Sequence, residues 1–282
     1  MSRALTNNIF IWASRLAVIF CGALLTALLG VIVWKGVSAI SPSFLFTPAR
    51  NFGAEGGILY QILGTLLLIS VAALLCFPVA LGTAIFRSEY LKSARLQRLS
   101  AALIYGLNGV PSIIFGVFGL IFFVNILDTG ISWSVGSLVL AMMILPTVTL
   151  AAHQSMHSIP EIYRESAKAL GLDKWQIIVR VLLPQSLGGA TTGLFLGLAR
   201  AVGETAPLMF IAAAFSGADI PGSLWEPVAT LPTHILELAQ QATNPKALSN
   251  AWGASFVLIC LVLALSAIGL FLRKKLQISG QR

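Results

Sequence analysis

The stretch ARAVGETAPL, residues 199–208, carries two side chains that could handle an anion. Arg200 supplies a permanent positive charge and a planar fork of donors suited to oxyanions. Glu204 follows four residues later, within reach of Arg200 on a helix. Between residues 187 and 215 these are the only charges, and Arg200 lies within a residue of the midpoint. They could simply neutralise each other. Two points weigh against that: Arg before Glu is the less favourable order for a helical pair, and a charge at mid-bilayer costs about 2.5–3.5 kcal/mol even on the lenient insertion scale. Arg200 and Glu204, with the adjacent Thr205, are therefore the candidate pathway residues.

Other chemistry is sparse. His153 and His157 have helical i, i+4 spacing, but no third ligand completes a metal site. No Ser/His/Asp or paired-carboxylate arrangement suggests catalysis. No Gly-Lys dipeptide occurs, so a Walker A phosphate loop is absent. Cys21, Cys76 and Cys260 all lie in apolar runs and read as small apolar fillers.

The elements that must position Arg200 are membrane helices. Only 10% of the 282 residues are charged and 57% are hydrophobic, with a mean hydropathy of +0.90. An ordinary soluble domain has about 25% charged residues. Six apolar runs fit helices crossing about 30 Å at 1.5 Å per residue. They fall near 16–34, 58–86, 101–124, 132–152, within 187–215, and 252–272. This is one all-α, polytopic domain. Alternating strand patterns that would suggest a β-barrel are lacking. Of the 18 Lys and Arg, Arg200 is intramembrane and Lys35, Arg50 and Lys246 fall in outer segments. The remaining fourteen fall inside if both termini are cytoplasmic, a strong positive-inside bias. The net charge of +8 is thus a topology signal that needs no nucleic acid. The first run is too long for a signal-peptide core and is taken as retained.

Two loops are long, an outer one at 216–250 and an inner one at 153–184. In the inner loop, Ser158 and Glu161 have capping-box spacing, with Pro160 in the first turn. A helix to about Leu170 would stop at Gly171 in the left-handed conformation. Asp173 and Gln176 repeat the capping box, and Trp175, Ile178, Val179 and Leu182 share a helical face before Pro184 ends it. Two short amphipathic helices on the inner face either lie on lipid or dock a cytoplasmic partner. The Gly189, Gly193, Gly197, Ala201 series permits close helix approach. On an ideal helix it shares an arc of about 120° with both charges, placing them on an inward-packing face.

ESAKALGLDKWQIIVRVLLP, residues 165–184, resembles the loop motif of bacterial ABC importer permeases: Glu-Ala-Ala, three residues, Gly, nine residues, Ile-x-Leu-Pro. Here it reads Glu165-Ser166-Ala167, Gly171 and Val181-Leu182-Leu183-Pro184, with Ser and Val as mild departures. The resemblance runs from about 58 to 275 and implies a coupling helix that fits a groove on an ATPase subunit, with Glu165, Ser166, Ala167, Gly171 and Pro184 serving that contact. LARAVGETAPLM and ATLPTHI are similar to the phosphate importer permeases, nearer the PstA type than the PstC type. The resemblance implies a homologous PstC-like permease partner, two ATP-binding subunits that carry ATP and magnesium, and a phosphate-binding protein outside. It also implies a bacterial plasma membrane location and no cofactor in this chain. Sulfate- or molybdate-type permeases share the loop motif. A stand-alone secondary transporter or channel, or a membrane scaffold, would leave the loop spacing or Arg200 unexplained.

Overall fold

The computed structural model describes residues 3–214, 218–241 and 243–279. The expected end of the fifth run at residue 215, outer-loop residues 216, 217 and 242, and the inner charge Arg282 lie outside the described residues.

Helix α1, Arg3–Ala39, is an uninterrupted helix of 37 residues that contains the apolar run 16–34. At 1.5 Å per residue it is about 55 Å long, well beyond a hydrocarbon core. It lies outside the bundle and touches it through the last helix, where Gly36 allows the Trp252 carbonyl and Phe256 to approach. Helix α2, Pro42–Phe46, begins at Ser41, whose Oγ accepts from the Phe44 N–H at 3.1 Å. A two-rung hairpin, β1 (Ala49–Arg50) with β2 (Glu55–Gly56), follows on the outer side. Helix α3, Leu59–Ile85, ends in a π-helical turn, Phe86–Tyr90.

The run at 101–124 is not one straight crossing. Helix α4, Ala94–Asn108, and helix α5, Ser112–Gly119, the latter extended by π-helical Leu120–Ile126, meet at 89°. Pro111 cannot donate to a helical carbonyl and drives the residue before it out of helical geometry. The chain still advances along the bundle: Asn108 accepts from Thr147 at mid-α6, whereas Gly119 rests on Val139, nearer the start of α6.

Helix α6, Trp133–His157, is the central post, packed on α3 and α9. Leu140, Ile144 and Val148 on it meet Leu68 and Ala72 of α3 in the main core. Pro146 is accommodated inside it, and Thr147 turns to Asn108 rather than to a carbonyl freed by the proline. The inner segment then forms α7, Glu161–Ala169, and α8, Lys174–Ile177. Instead of ending, α8 continues through π-helical Ile178–Leu182 into α9, Leu183–Ala201. Pro184 therefore does not stop the second loop helix, contrary to expectation. Its missing N–H falls just past the wider π turn, which absorbs the break in the hydrogen-bond ladder.

Helix α10, Ala206–Ile211, resumes after a four-residue gap. Helix α11, Leu231–Gln240, is capped by Thr230 and tied to α3, where Thr65 Oγ1 accepts from the Leu231 N–H at 2.9 Å. His234 on α11 is buried, and desolvation pushes its imidazole down from 6.5 to about 4. Helix α12, Pro245–Ser279, returns inward. Among the described residues five helices are long and apolar enough to cross a membrane, or six with α4–α5 as one bent crossing.

Candidate pathway and coupling sites

The depth of Arg200 follows from helix register. Along the antiparallel α6–α9 contact Gly189 sits against Ser155, Gly193 against Ala151, and Gly197 against Ile144 and Val148. A Cβ at Gly193 would overlap Ala151 Cβ, so the small residues are what bring the two helices together. Extending this register by three residues puts Arg200 level with Ile144, near the middle of α6.

One expectation needs correcting here. The glycine series faces α6, but the Arg200 side chain is 47% exposed and does not share that packed face. The helix also stops at Ala201, so Glu204 does not belong to α9. Gly203 lowers helical stability, and Pro207 can neither donate to the Gly203 carbonyl nor fit against it. The resulting gap, Val202 to Thr205, carries Glu204 back beside Arg200, with Nε to Oε1 at 3.6 Å and Glu204 only 15% exposed. At that distance the two form an ion pair without a hydrogen bond. Among the described residues the Arg200 Nη groups make no hydrogen bond, and the side chain is about half exposed. Thr205 stands at the start of α10, half-buried, with its hydroxyl outside the helical bonding. Pro207 packs on Gly116 of α5, so the broken α10 and the bent α5 are held together beside the charge pair.

The inner segment forms a second site. Ser158 does not cap α7: Pro160 occupies the cap position and Ser158 Oγ donates to the Ser155 carbonyl. Glu161 turns to Arg164 at 3.2 Å, and that pairing replaces the expected capping box. Asp173 and Gln176 do form a reciprocal capping box. Gly171 adopts φ +78°, the left-handed conformation that terminates α7. Ala167 is buried against Ile159, Ile177, Ile178 and Leu182, whereas Glu165 and Ser166 are exposed. The apolar face of the second helix is split: Ile178 and Leu182 turn inward, Trp175 and Val179 outward. The outer set, joined by Ile162, Tyr163 and Leu170, leaves a bare apolar surface at the inner end.

Sequence reasoning missed Glu89, Arg164 and Lys174. Arg164 Nη2 pairs with Glu89 Oε1 at 3.2 Å, and Lys174 Nζ donates to the Glu89 carbonyl at 2.7 Å. Their signal was a charge on each side of an inner cleft of about 780 Å³, which only the tertiary fold brings together. His153 and His157 stack at 6.2 Å, and no group of three metal-capable side chains exists among the described residues.

Comparison with known proteins agrees with this geometry. Residues 77–277 match the family described as binding-protein-dependent transport system inner membrane component. The chain is 29% identical to a probable ABC transporter permease, YqgI, of Bacillus subtilis, covering 98% of this chain and 99% of that one. It is 31% identical to phosphate transport system permease protein PstA 1 of Mycobacterium tuberculosis, covering 87% of this chain and 81% of that one. Among solved structures, a chain of a bacterial alginate ABC transporter in complex with an alginate-bound periplasmic protein superposes with a TM-score of 0.67. It is 16% identical and covers 98% of this chain and 97% of that one. A chain of the MetNI methionine ABC transporter gives 0.63 at 19% identity, covering 78% and 95% respectively. These two carry the fold alone. With the family matched over most of its length, and a membrane-helix bundle broken beside its Arg200–Glu204 pair, the chain belongs to the inner membrane components of binding-protein-dependent transport systems, the permease subunits of ABC importers.

Proposed function

We propose that this permease imports inorganic phosphate. The observation that carries the reading is Arg200: a half-exposed guanidinium at mid-depth, at the end of α9, whose ion pair with Glu204 is too long for a hydrogen bond. Broken helices near the midplane are where transporters commonly place their substrate sites. Orthophosphate at neutral pH is a mixture of mono- and dianion that must shed water to cross. Arg200 attracts it, and Glu204, held at 3.6 Å, offers a competing partner that keeps the ion from being trapped. The PstA relatives support phosphate over other cargo. The second reading is another tetrahedral oxyanion, because guanidinium geometry alone does not separate phosphate from sulfate.

The assembly follows from the surfaces left bare. The apolar residues Ile114, Phe118 and Ile121 of the α5 crossing, with Met209 and Phe210 of α10, suit a homologous PstC-like permease across the pathway. The bare face of α7 and α8 suits an ATP-binding subunit, two per importer. ATP and magnesium are bound there, and this chain contributes no hydrolysis. A phosphate-binding protein delivers the ion from outside, and both termini lie in the cytoplasm of a bacterial cell.

Uptake of labelled phosphate into vesicles carrying the whole importer tests this. Arg200→Ala should abolish uptake while the subunits still co-purify, and excess sulfate should leave wild-type uptake unchanged. Normal uptake by Arg200→Ala would remove Arg200 from the pathway. Suppression by sulfate would move the cargo to the wider oxyanion class.

A further inference from the structure

Helix α9 is continuous with α8, so any displacement of the coupling segment reaches it through the backbone. Helix α3 has no such link. Its inner end is eighty residues away in sequence, yet it meets the segment through a compact set of charged contacts. Glu89 in the π turn 86–90 places Oε1 within 3.3 Å of Arg164 Nε and 3.2 Å of Arg164 Nη2, and also accepts from Ser88 Oγ at 3.0 Å. Arg164 Nη1 donates to the Ile159 carbonyl and to Glu161, and Nη2 also donates to the Met156 carbonyl. Lys174 adds a bond to the Glu89 carbonyl at 2.7 Å and lies 3.6 Å over the Tyr90 ring.

One guanidinium thus joins the end of α3, the last turn of α6 and the first turn of α7. The Arg164 and Glu89 side chains are 12% and 14% exposed, so water and salt screen the pair weakly. Apolar packing joins the end of α3 to α6 and α9 through Ala84, Ala152, Met156 and Ala190, but does little to join it to α7 and α8. Ile85 packs on the Ile159–Ile177–Leu182 cluster, but beyond it the two walls part around the cleft of about 780 Å³. At that level the clasp is the tie between them.

We propose that Glu89, Arg164 and Lys174 are positioning residues for transport: they carry the displacement of the coupling segment into α3, so that α3 and α9 move together about α6. This rests on the importer reading above. A planar, multiply bonded guanidinium transmits both push and pull, which a sliding apolar contact does not. The π turn at the end of α3 brings Glu89 and Tyr90 to face Arg164 and Lys174.

The test is the number of phosphate ions accumulated per ATP hydrolysed by the complete importer with its binding protein, reconstituted in vesicles. Glu89→Ala should assemble and hydrolyse ATP, while phosphate moved per ATP falls about fivefold or more, the usual lower bound for coupling between sites. Glu89→Gln should retain more of the ratio, because its amide oxygen still accepts from Arg164. A merely structural role would lower yield or thermal stability and leave the ratio intact, and that result would overturn the proposal. If Glu89→Ala does not assemble, Lys174→Met removes the exposed limb of the clasp, and an unchanged ratio there is equally decisive. Failure of the unaltered chain to join any ATPase is a separate result and would sink the importer reading itself.

Discussion

Arg200 and Glu204 are close enough to attract and too far apart to share a hydrogen bond, at 3.6 Å. A tight bidentate pair would occupy the guanidinium, and a lone guanidinium would hold an anion too well. The intermediate spacing predicts what removing the acid does. Glu204→Gln should lower both the apparent KM for phosphate and the maximal uptake rate, since the ion is then bound more tightly and released more slowly. Initial uptake rates across a phosphate titration check this, and a raised KM would assign Glu204 to binding instead. The spacing of four residues offered this pairing, although the Arg-before-Glu order weighed against it, and the 3.6 Å ion pair forms through the chain beyond the helix end. The Glu89–Arg164 pair was not legible at all, because 75 residues separate the two and neither falls on a pattern that points at the other. Local spacing encodes local contacts; a clasp across two helix ends exists only once the bundle has formed.

At the level of elements, the glycine series announced close packing but not its partner. That partner is α6, with Ala151 and Ser155 as the facing small residues. The ideal-helix projection failed at Glu204 because it carried the 100° step through Gly203, where the helix has already stopped at Ala201; Arg200 is still helical, but its long side chain reaches out of the packed face. Two prolines misled the reading: Pro111 sits inside what reads as one run at 101–124, where the chain bends by 89°, and Pro184 reads as a stop where a π turn takes up the fault. Helix α11 offers a pH test. His234 in the folded protein titrates near 4, below its ordinary 6.5. In that window the unfolded chain takes up a proton that the folded chain refuses. Stability is therefore full above 6.5 and declines as pH falls towards 4, by up to about 3 kcal/mol. Thermal unfolding of the purified importer across this range should show the decline, and His234→Gln should flatten it. An equal decline in His234→Gln would place the acid sensitivity elsewhere.

Across the whole molecule, composition was enough for the class that the family match bears out, while the orientation read from charge asymmetry and the ATPase read from the 165–184 spacing belong to the proposal above. The subunit is bare where an assembly would cover it, along the α5–α10 side and over α7–α8. Gly171 ends α7 at φ +78° with nothing within 4 Å of a would-be Cβ, so a side chain there meets backbone strain and the incoming partner rather than this chain. Gly171→Asp should leave the permease in the membrane and lose the ATPase on affinity purification. Undiminished recovery of the ATPase would show that the contact lies elsewhere on the inner face.

The π turn at Ile178–Leu182 also acts as a phase setting between two gears. Upstream lies Trp175 on the outward face; downstream, the small residues lock α9 to α6 and fix the direction of Arg200. Deleting one residue inside the turn would restore ordinary helical pitch and rotate one side against the other by about 100°. Because α9 is keyed to α6, the coupling side is what would turn. The pathway would keep its alignment, and the transmission would be out of phase.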